Sequence, residues 1–533
     1  MSASTASADS LTPGKEPTAA HSGGASDHKD GLREKHAHAG VAMAIATLAM
    51  AASSGIQALL YLSSFGVGGK TDGFFVAFAL YSSFGVFSQS IRVTSAPLLV
   101  GSRPRLNTRE FAVGLLLIAV PVAIVTIPLA GPLADLIAPG LTNAGRNVTV
   151  EALPVLGGAM VLQLWAAGGA TVLAIRDRFD RIALAYISGA LAGLVVYIAV
   201  SGSAGELSLG WSMLAMAIVT SAVMLDGVRA GREERPPAPA LPRSLRAIAR
   251  PVGLILGSTM IYLAFNGLFV VTLAFAGKYD PGDATVLSYA YLFASYLVAA
   301  TGFALGMSRI ADMRRGALVD WREVIADTVP AGFRYSMMLA APALGVLISG
   351  GATLIGEVLP KSFDAAKVDQ LQVFAALLCL WTVAALLVNL LLPAMFALGR
   401  SRLVNWMAPV VFVAHVAVTA LGGILFGADG VVGAAFVVPA AFAALLLIVG
   451  AGRGAGPIAR DLARDGLRFA LLAAVSYGIG YLVGAELADG ILSSLVTLTV
   501  GSVLYLLTAT RFAPDQARLL IGAIKPASKP ASA

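Results

Sequence analysis

Fourteen predominantly apolar runs of about 20 residues or more follow one another between residues 39 and 511, and no other feature constrains the fold of this chain as strongly. At 1.5 Å of rise per residue, each run is long enough to cross a hydrocarbon core about 30 Å thick. Lipid offers no partner for backbone N–H and C=O groups, so a segment that crosses it alone closes those bonds internally as a helix. The predicted spans are 39–65, 73–100, 111–137, 150–175, 181–201, 207–228, 250–276, 282–310, 330–356, 369–396, 403–426, 429–450, 467–486 and 489–511. The division within 403–450 and that within the last pair are the least sharply marked. AMAIATLAMAAS has the look of a signal-peptide core, but its long polar leader and its continuation to Phe65 favour a retained first helix. Charged residues make up 13% of the chain, about half the share of a soluble domain.

The basic residues follow a topology. With the N-terminus placed inside, the inner segments hold 30 Lys and Arg and the outer loops 5, with Arg92 and Arg334 completing the 37. The positive-inside rule then puts both termini in the cytoplasm and makes the helix count even. The net charge of +7 is explained by that arrangement and needs no nucleic-acid partner. Cys379 is the only cysteine, which excludes an intrachain disulfide and any cysteine-based metal site. All outer loops are short, with about 5–13 residues between spans, too few for an extracytoplasmic catalytic domain.

The longest internal break, Gly231 to Arg250, is basic and Pro-rich and divides six helices from eight. TDGFFVAFALY after helix 1 is similar to GDATVLSYAYL after helix 7, which aligns Asp72 with Asp283. LAIRDRF after helix 4 is similar to FALGRSRL after helix 10, which places Arg176 and Arg178 opposite Arg400 and Arg402. Two six-helix units with a common orientation form a parallel repeat, and such repeats place a pathway at their interface. The expected architecture is an all-α polytopic membrane protein of about 14 transmembrane helices, two six-helix lobes in parallel pseudo-repeat plus a C-terminal helix pair. Its parts are a disordered cytoplasmic tail (1–38), an N-lobe (39–228), a cytoplasmic linker (229–249), a C-lobe (250–450), the C-terminal pair (451–511) and a second tail (512–533).

Polar residues within the spans form stripes. On helix 2, Tyr81, Gly85, Ser88, Arg92 and Ser95 are spaced 4, 3, 4 and 3 and share one face. An arginine at mid-bilayer costs about 2.5–3.5 kcal/mol on insertion scales. It is accounted for by a cavity-facing anion site, or by a side chain that snorkels to the cytoplasmic surface or forms a structural pair. Ser53, Gln57, Tyr61 and Ser64 line helix 1, Thr259, Tyr262 and Asn266 helix 7, and Ser288, Tyr291, Ser295, Gly302 and Gly306 helix 8. Any one such stripe reads as packing; four of them, on the two helix pairs that open each repeat, read as the walls of one cavity. His415, near the middle of helix 11, is either a structural histidine or a titrating group. Gly189–Gly193, Gly253–Gly257, Gly302–Gly306 and Gly480–Gly484 have the spacing that lets helices approach closely. No Asp or Glu lies in the central part of a span, so the chain lacks the mid-membrane carboxylate common in ion-coupled exporters, and it has no phosphate-binding loop of the GxxxxGK[ST] type.

FGVGGKTDGFFVAFAL, Phe65 to Leu80, resembles the FG-x-x-x-x-TDAFFVAF signature of the MurJ/MviN lipid II flippases of the multidrug/oligosaccharidyl-lipid/polysaccharide (MOP) exporter superfamily. MFALGRSR, Met395 to Arg402, resembles that family's FYALGDTR-like segment after helix 10. The resemblance covers residues from about 40 to 511. It implies transbilayer movement of a polyprenyl-pyrophosphate-linked sugar by alternating access, through a cavity lined mainly by helices 1, 2, 7 and 8. It also implies cationic residues that meet the pyrophosphate, and here the chain departs. The family's arginine slots fall on Gln57, Gly85 and Leu292, and a nearby glutamate slot falls on Ser90.

The expectation is a transporter, with no enzymatic activity, cofactor or metal site, in the cytoplasmic membrane. Its partners are membrane lipids and a polyprenyl-(pyro)phosphate-linked cell-envelope saccharide, and the cytoplasmic tail is where envelope-biosynthesis proteins would dock. Arg92 is the candidate phosphate contact, as a relocated cation. Gln57, Tyr61, Tyr81, Ser88, Tyr262, Asn266 and Ser288 are the candidate contacts to sugar hydroxyls, and His415 is the candidate titrating group. The competing readings are a multidrug-type exporter of the same superfamily, marked by an acidic residue facing the cavity, and a non-transporting scaffold, marked by a closed apolar core. An integral-membrane glycosyltransferase would need a carboxylate pair at an outer helix end, with Asp72 and Glu151 the pair to test.

Overall fold

A computed structural model describes residues 50, 53–99, 106–176, 178–230, 245–298, 321–358, 364–397, 400–487, 489–512 and 514. The tails over 1–38 and 515–533, most of the linker and the pair Gly302–Gly306 lie outside the described residues.

Apart from short turns, the described chain is helical. The N-lobe holds α1 (53–65), α2 (Gly69–Leu99), α3 (Thr108–Thr126), α4 (Ala130–Ile137), α5 (Asn143–Ile175), α6 (Phe179–Ala204) and α7 (Ser208–Ala230). The C-lobe holds α8 (Leu245–Ala276), α9 (Asp283–Val298), α10 (Trp321–Val346), α11 (Ala352–Val358), α12 (Ala365–Ala397), α13 (Ser401–Ala434) and α14 (Val437–Ala451). A final pair, α15 (Ala455–Leu487) and α16 (Gly490–Phe512), completes the bundle. Among the described residues nine helical stretches are long and apolar enough to cross a membrane, and Phe179–Ala230 and Val437–Leu487 are each long enough for two passes.

Local chemistry sets several boundaries. Asn107 and Glu110 form a reciprocal capping box at the start of α3, and Thr142 caps α5 through the Gly145 N–H. Within α13 the backbone turns at Gly427, whose φ of 65° belongs to the region that L side chains avoid. The predicted change from helix 11 to helix 12 lies there. The two legs come so close that a Cβ on Gly422 would strike the Gly430 carbonyl.

The two lobes repeat a contact pattern. α2 packs on α5, α3 on α5 and α5 on α7; correspondingly α9 packs on α12, α10 on α12 and α12 on α14. Even a helix ending recurs: Arg178 N–H donates to Leu173 O and Arg400 N–H to Met395 O, both at 3.0 Å. That shared closure registers Arg178 with Arg400, two residues away from the pairing the sequence alignment suggests. The lobes meet mainly where α2 runs along α8, with α3 on α8 and α2 on α9 beside it.

The last two helices dock on α10. Arg334 of α10 holds Asp465 of α15 at 2.5 Å, and Tyr505 of α16 donates to the Met338 carbonyl. Gly480 and Gly484 let α15 meet the backbone of α16, and Gly189 and Gly193 do the same for α6 against α7. Gly253 and Gly257 face open space instead.

Candidate functional site

The residues that join the lobes define the site. At the start of α2, Asp72 is 1% exposed and lies at the lobe interface. Its carboxylate accepts from Gly282 N–H at 2.6 Å, Thr285 N–H at 2.8 Å and the Thr285 hydroxyl at 2.7 Å. An N-lobe carboxylate thus caps the first turn of a C-lobe helix, where exposed N–H groups and the helix dipole favour negative charge. Its repeat mate Asp283 is equally buried but stays within its own lobe, accepting from Lys367 Nζ at 2.9 Å and Gln370 Nε2 at 2.7 Å. Sequence reading placed both aspartates at span ends and did not foresee that they are buried. Both Asp72 oxygens are occupied by these donors, and Glu151 is exposed, so the arrangement does not form a carboxylate pair.

Gly73 explains how Asp72 reaches the interface. α2 touches the N-terminal turn of α5 at this point, and Thr149 donates to the Gly73 carbonyl at 2.9 Å. A Cβ on Gly73 would collide with the Gly145 backbone. The glycine in TDGFF is therefore a close-approach residue.

Between the lobes, nearly halfway along α2, lies a cavity of about 60 Å³. Its polar wall is Ser82 and Ser83 from the N-lobe and Asn266, Ser288, Tyr291 and Ser295 from the C-lobe. Its apolar wall includes Phe78, Phe269 and Leu292, and the Phe269 and Tyr291 rings stack with centroids 3.5 Å apart at 6°. The Ser83 hydroxyl also bridges the lobes by donating to the Asn266 carbonyl at 2.9 Å. Ligand cavities commonly measure about 300–1,000 Å³. The lobes are closed here, and the space between them is well below that range.

The residues predicted from sequence fall into three groups. Asn266 and Ser288 line the interlobe cavity, together with Tyr291 and Ser295 of the same helix-8 stripe. Tyr81 and Ser88 lie on the other side of α2, toward α5 and α7. Gln163 donates to the Tyr81 hydroxyl at 2.5 Å, and Ser88, Gly85 and Gln163 line a separate cavity of about 70 Å³ inside the N-lobe. Gln57 sits between Ser53 and Ser212, Tyr61 donates to the Glu206 carbonyl, and Tyr262 stacks on Phe396. Those three are 0–2% exposed and tie helices together within their lobes. Arg92 belongs to α2, but its side chain is outside the described residues. His415 is 1% exposed and bonds the Thr272 hydroxyl at 3.0 Å, linking α13 to α8.

Ser82 and Ser83 were not singled out in the sequence. They are adjacent to the Tyr81 stripe and point about 100–200° away from it around the helix. A doublet of hydroxyls next to a polar stripe was the signal available.

The same fold recurs in solved structures. The inward closed conformation of the lipid II flippase MurJ matches with a TM-score of 0.66 and 14% identity, covering 90% of this chain and 99% of that one. This chain has the MurJ fold. An inward-facing multidrug resistance MATE family transporter of the MOP superfamily matches at TM-score 0.52 and 15% identity, covering 78% and 98%. An outward-facing structure of a MATE family transporter matches at 0.51 and 16%, covering 79% and 96%. No protein-family model matches the chain, and no curated protein matches it by sequence. With the MurJ fold, the multi-pass membrane character read from the apolar runs is stated by architecture as well as by composition.

Proposed function

We propose that this chain is a transporter that flips a polyprenyl-(pyro)phosphate-linked cell-envelope saccharide across the cytoplasmic membrane by alternating access. The observation that carries the reading is the polar cavity at the lobe interface. It is walled by hydroxyl and amide groups from both lobes, in a chain whose fold is that of a lipid II flippase. A non-transporting scaffold predicts a closed apolar core, whereas Ser82, Ser83, Asn266 and Ser288 gather polar groups where the lobes meet.

Asp72 supplies the other half of the mechanism. It locks one end of the interface through neutral donors on the opposite lobe, and releasing them lets the lobes part at that end. Parting at the other end admits water and the saccharide to the cavity, while the isoprenoid tail stays in lipid. In the cavity, Asn266 and Ser288 meet sugar hydroxyls. Arg92, further along α2, is assigned to the phosphate. Reclosing at that other end and parting at the Asp72 end, which releases the saccharide, completes the exchange. No covalent step is needed, so the chain is read as a non-enzyme. A positive-inside count of 30 to 5 supports cytoplasmic termini, which places the Asp72 end outside.

The test is a flip assay in proteoliposomes with a labelled polyprenyl-diphosphate sugar under an imposed potential, comparing wild type with Asn266→Ala, Arg92→Ala and Arg92→Lys. Wild type is expected to flip the lipid. Asn266→Ala and Arg92→Ala are expected to slow it about tenfold, the equivalent of one lost hydrogen bond to a charged or multiply bonded group. Arg92→Lys reports whether charge alone is enough. A wild-type protein that moves no such lipid would overturn the proposal.

A further inference from the structure

We infer that the interlobe cavity receives the sugar of the substrate and excludes its phosphate, because its described wall offers more hydrogen-bond acceptors than donors and no charge. This rests on the transport reading above and adds to it the part of the lipid that the cavity recognises.

The argument is a count of protons. Ser82 donates to Ala79 O at 2.9 Å and Ser83 to Ala79 O at 2.9 Å. Ser288 donates to Ala284 O at 2.8 Å and Ser295 to Leu292 O at 3.0 Å. Each hydroxyl carries one proton, and each of these is committed to a carbonyl of its own helix, a turn earlier. What the four oxygens turn toward the cavity is lone pairs. Asn266 spends one amide hydrogen on Tyr262 O at 2.8 Å, which leaves its carbonyl oxygen as a further acceptor. The cavity therefore presents Ser82, Ser83, Ser288, Ser295 and the Asn266 side-chain carbonyl as acceptors. Against them stand the second Asn266 amide hydrogen and the Tyr291 hydroxyl as donors. None of the described lining residues carries a charge.

A phosphate or diphosphate is an anion with acceptor oxygens only. It needs N–H donors, a cation or a helix N-terminus, and it is repelled by a ring of lone pairs. A sugar carries a hydroxyl proton on nearly every carbon, and its C–H face packs on aromatic rings. Here Phe78, Phe269 and Tyr291 supply those rings next to the acceptors. The serine protons are held by bonds within one helix. Parting the lobes breaks only the second contact of Ser83, to the Asn266 carbonyl, and leaves the acceptor pattern intact. Leu292 completes the wall as an apolar contact.

The same cage would accept an organic amine, so the experiment separates the two. Four fluorescent lipids are compared in proteoliposomes of the full chain: a polyprenyl-diphosphate N-acetylhexosamine, a neutral glycosyl lipid with the same sugar and no phosphate, bare polyprenyl diphosphate, and a quaternary-ammonium amphiphile. The neutral glycosyl lipid is expected to flip about tenfold more slowly than the diphosphate-linked sugar, as it lacks only the Arg92 contact outside the cavity, and the bare diphosphate not at all. Ser288→Ala with Ser295→Ala is expected to slow both sugar lipids about tenfold and to leave the melting temperature unchanged. Flipping of the diphosphate-linked sugar but not of its neutral counterpart, or full competition by bare polyprenyl diphosphate, would overturn the inference while leaving transport in place. Movement of the ammonium amphiphile alone would overturn both and favour an exporter. Movement of none would remove the transport reading itself.

Discussion

Replacing Asp72 by Asn removes one charge and exchanges one acceptor oxygen for an NH2 group, at a residue that is 1% exposed. The amide oxygen can still receive the two Thr285 donors, now as neutral hydrogen bonds in place of charge-assisted ones. The amide nitrogen faces the Gly282 N–H, donor against donor, where the carboxylate accepted at 2.6 Å. A hydrogen bond to a charged group is worth about 1.5–3 kcal/mol, and an unpaired buried N–H costs about 1–3 kcal/mol. A net loss of about 3 kcal/mol from the closed interface is therefore expected, some of it recovered because parting the lobes hydrates the freed N–H. At 1.4 kcal/mol per tenfold, the ratio of closed to open molecules falls about 100-fold. The assay is a distance measurement between spin labels at Ala144→Cys and Asp280→Cys, exposed positions in the first turn of α5 and on the α8–α9 loop, in a Cys379→Ser background. Wild type should give one short-distance population and Asp72→Asn a dominant longer one. An unchanged distribution in Asp72→Asn, with Asp72→Ala equally unaffected, would refute the reasoning that this carboxylate holds the lobes together.

Two further outcomes test the packing. Gly480→Ala should destabilise the α15–α16 pair by about 1–3 kcal/mol relative to Gly478→Ala, because its Cβ would lie 2.5 Å from the Thr497 carbonyl while Gly478 meets nothing within 4 Å. Both changes alter helix propensity alike, so the difference in thermal unfolding isolates the contact. Arg334→Ala should cost about 1–2 kcal/mol, since it strips the closest partner from Asp465, whose side chain is 11% exposed. The loss should shrink in the double variant with Asp465→Asn, measured by scanning fluorimetry.

The fold was legible because its strongest constraint is local. A 20-residue apolar run must be a helix in lipid whatever surrounds it, so the span count, the breaks and the C-terminal pair could be read from the sequence. The Gly427 turn falls between the spans drawn at 403–426 and 429–450 for the same reason: glycine is the residue that takes its φ without strain. The weak repeat was visible in TDGFF and GDATV, although the shared helix ending shows that its register near Arg178 and Arg400 differs by two residues.

Which face of a helix meets which neighbour was the part that only the tertiary structure decided. The helix-8 stripe of Ser288, Tyr291 and Ser295 lies on the interlobe cavity, where its spacing suggested. On α2 two hydroxyl-bearing faces compete, and periodicity treats Tyr81–Gly85–Ser88 and Ser82–Ser83 alike. The first faces Gln163 inside the N-lobe and the second faces Asn266 across the interface. Asp72 shows the same division. Composition placed it at a span end, where a carboxylate is ordinarily solvated. Its burial and its three partners come from Gly282 and Thr285, more than 200 residues away, brought to it by the docking of one lobe on the other. Helix formation in lipid is settled within a segment by the hydrogen bonds of its own backbone. The partner of a side chain is settled by which helices pack together, and a single sequence does not contain that packing in any local pattern.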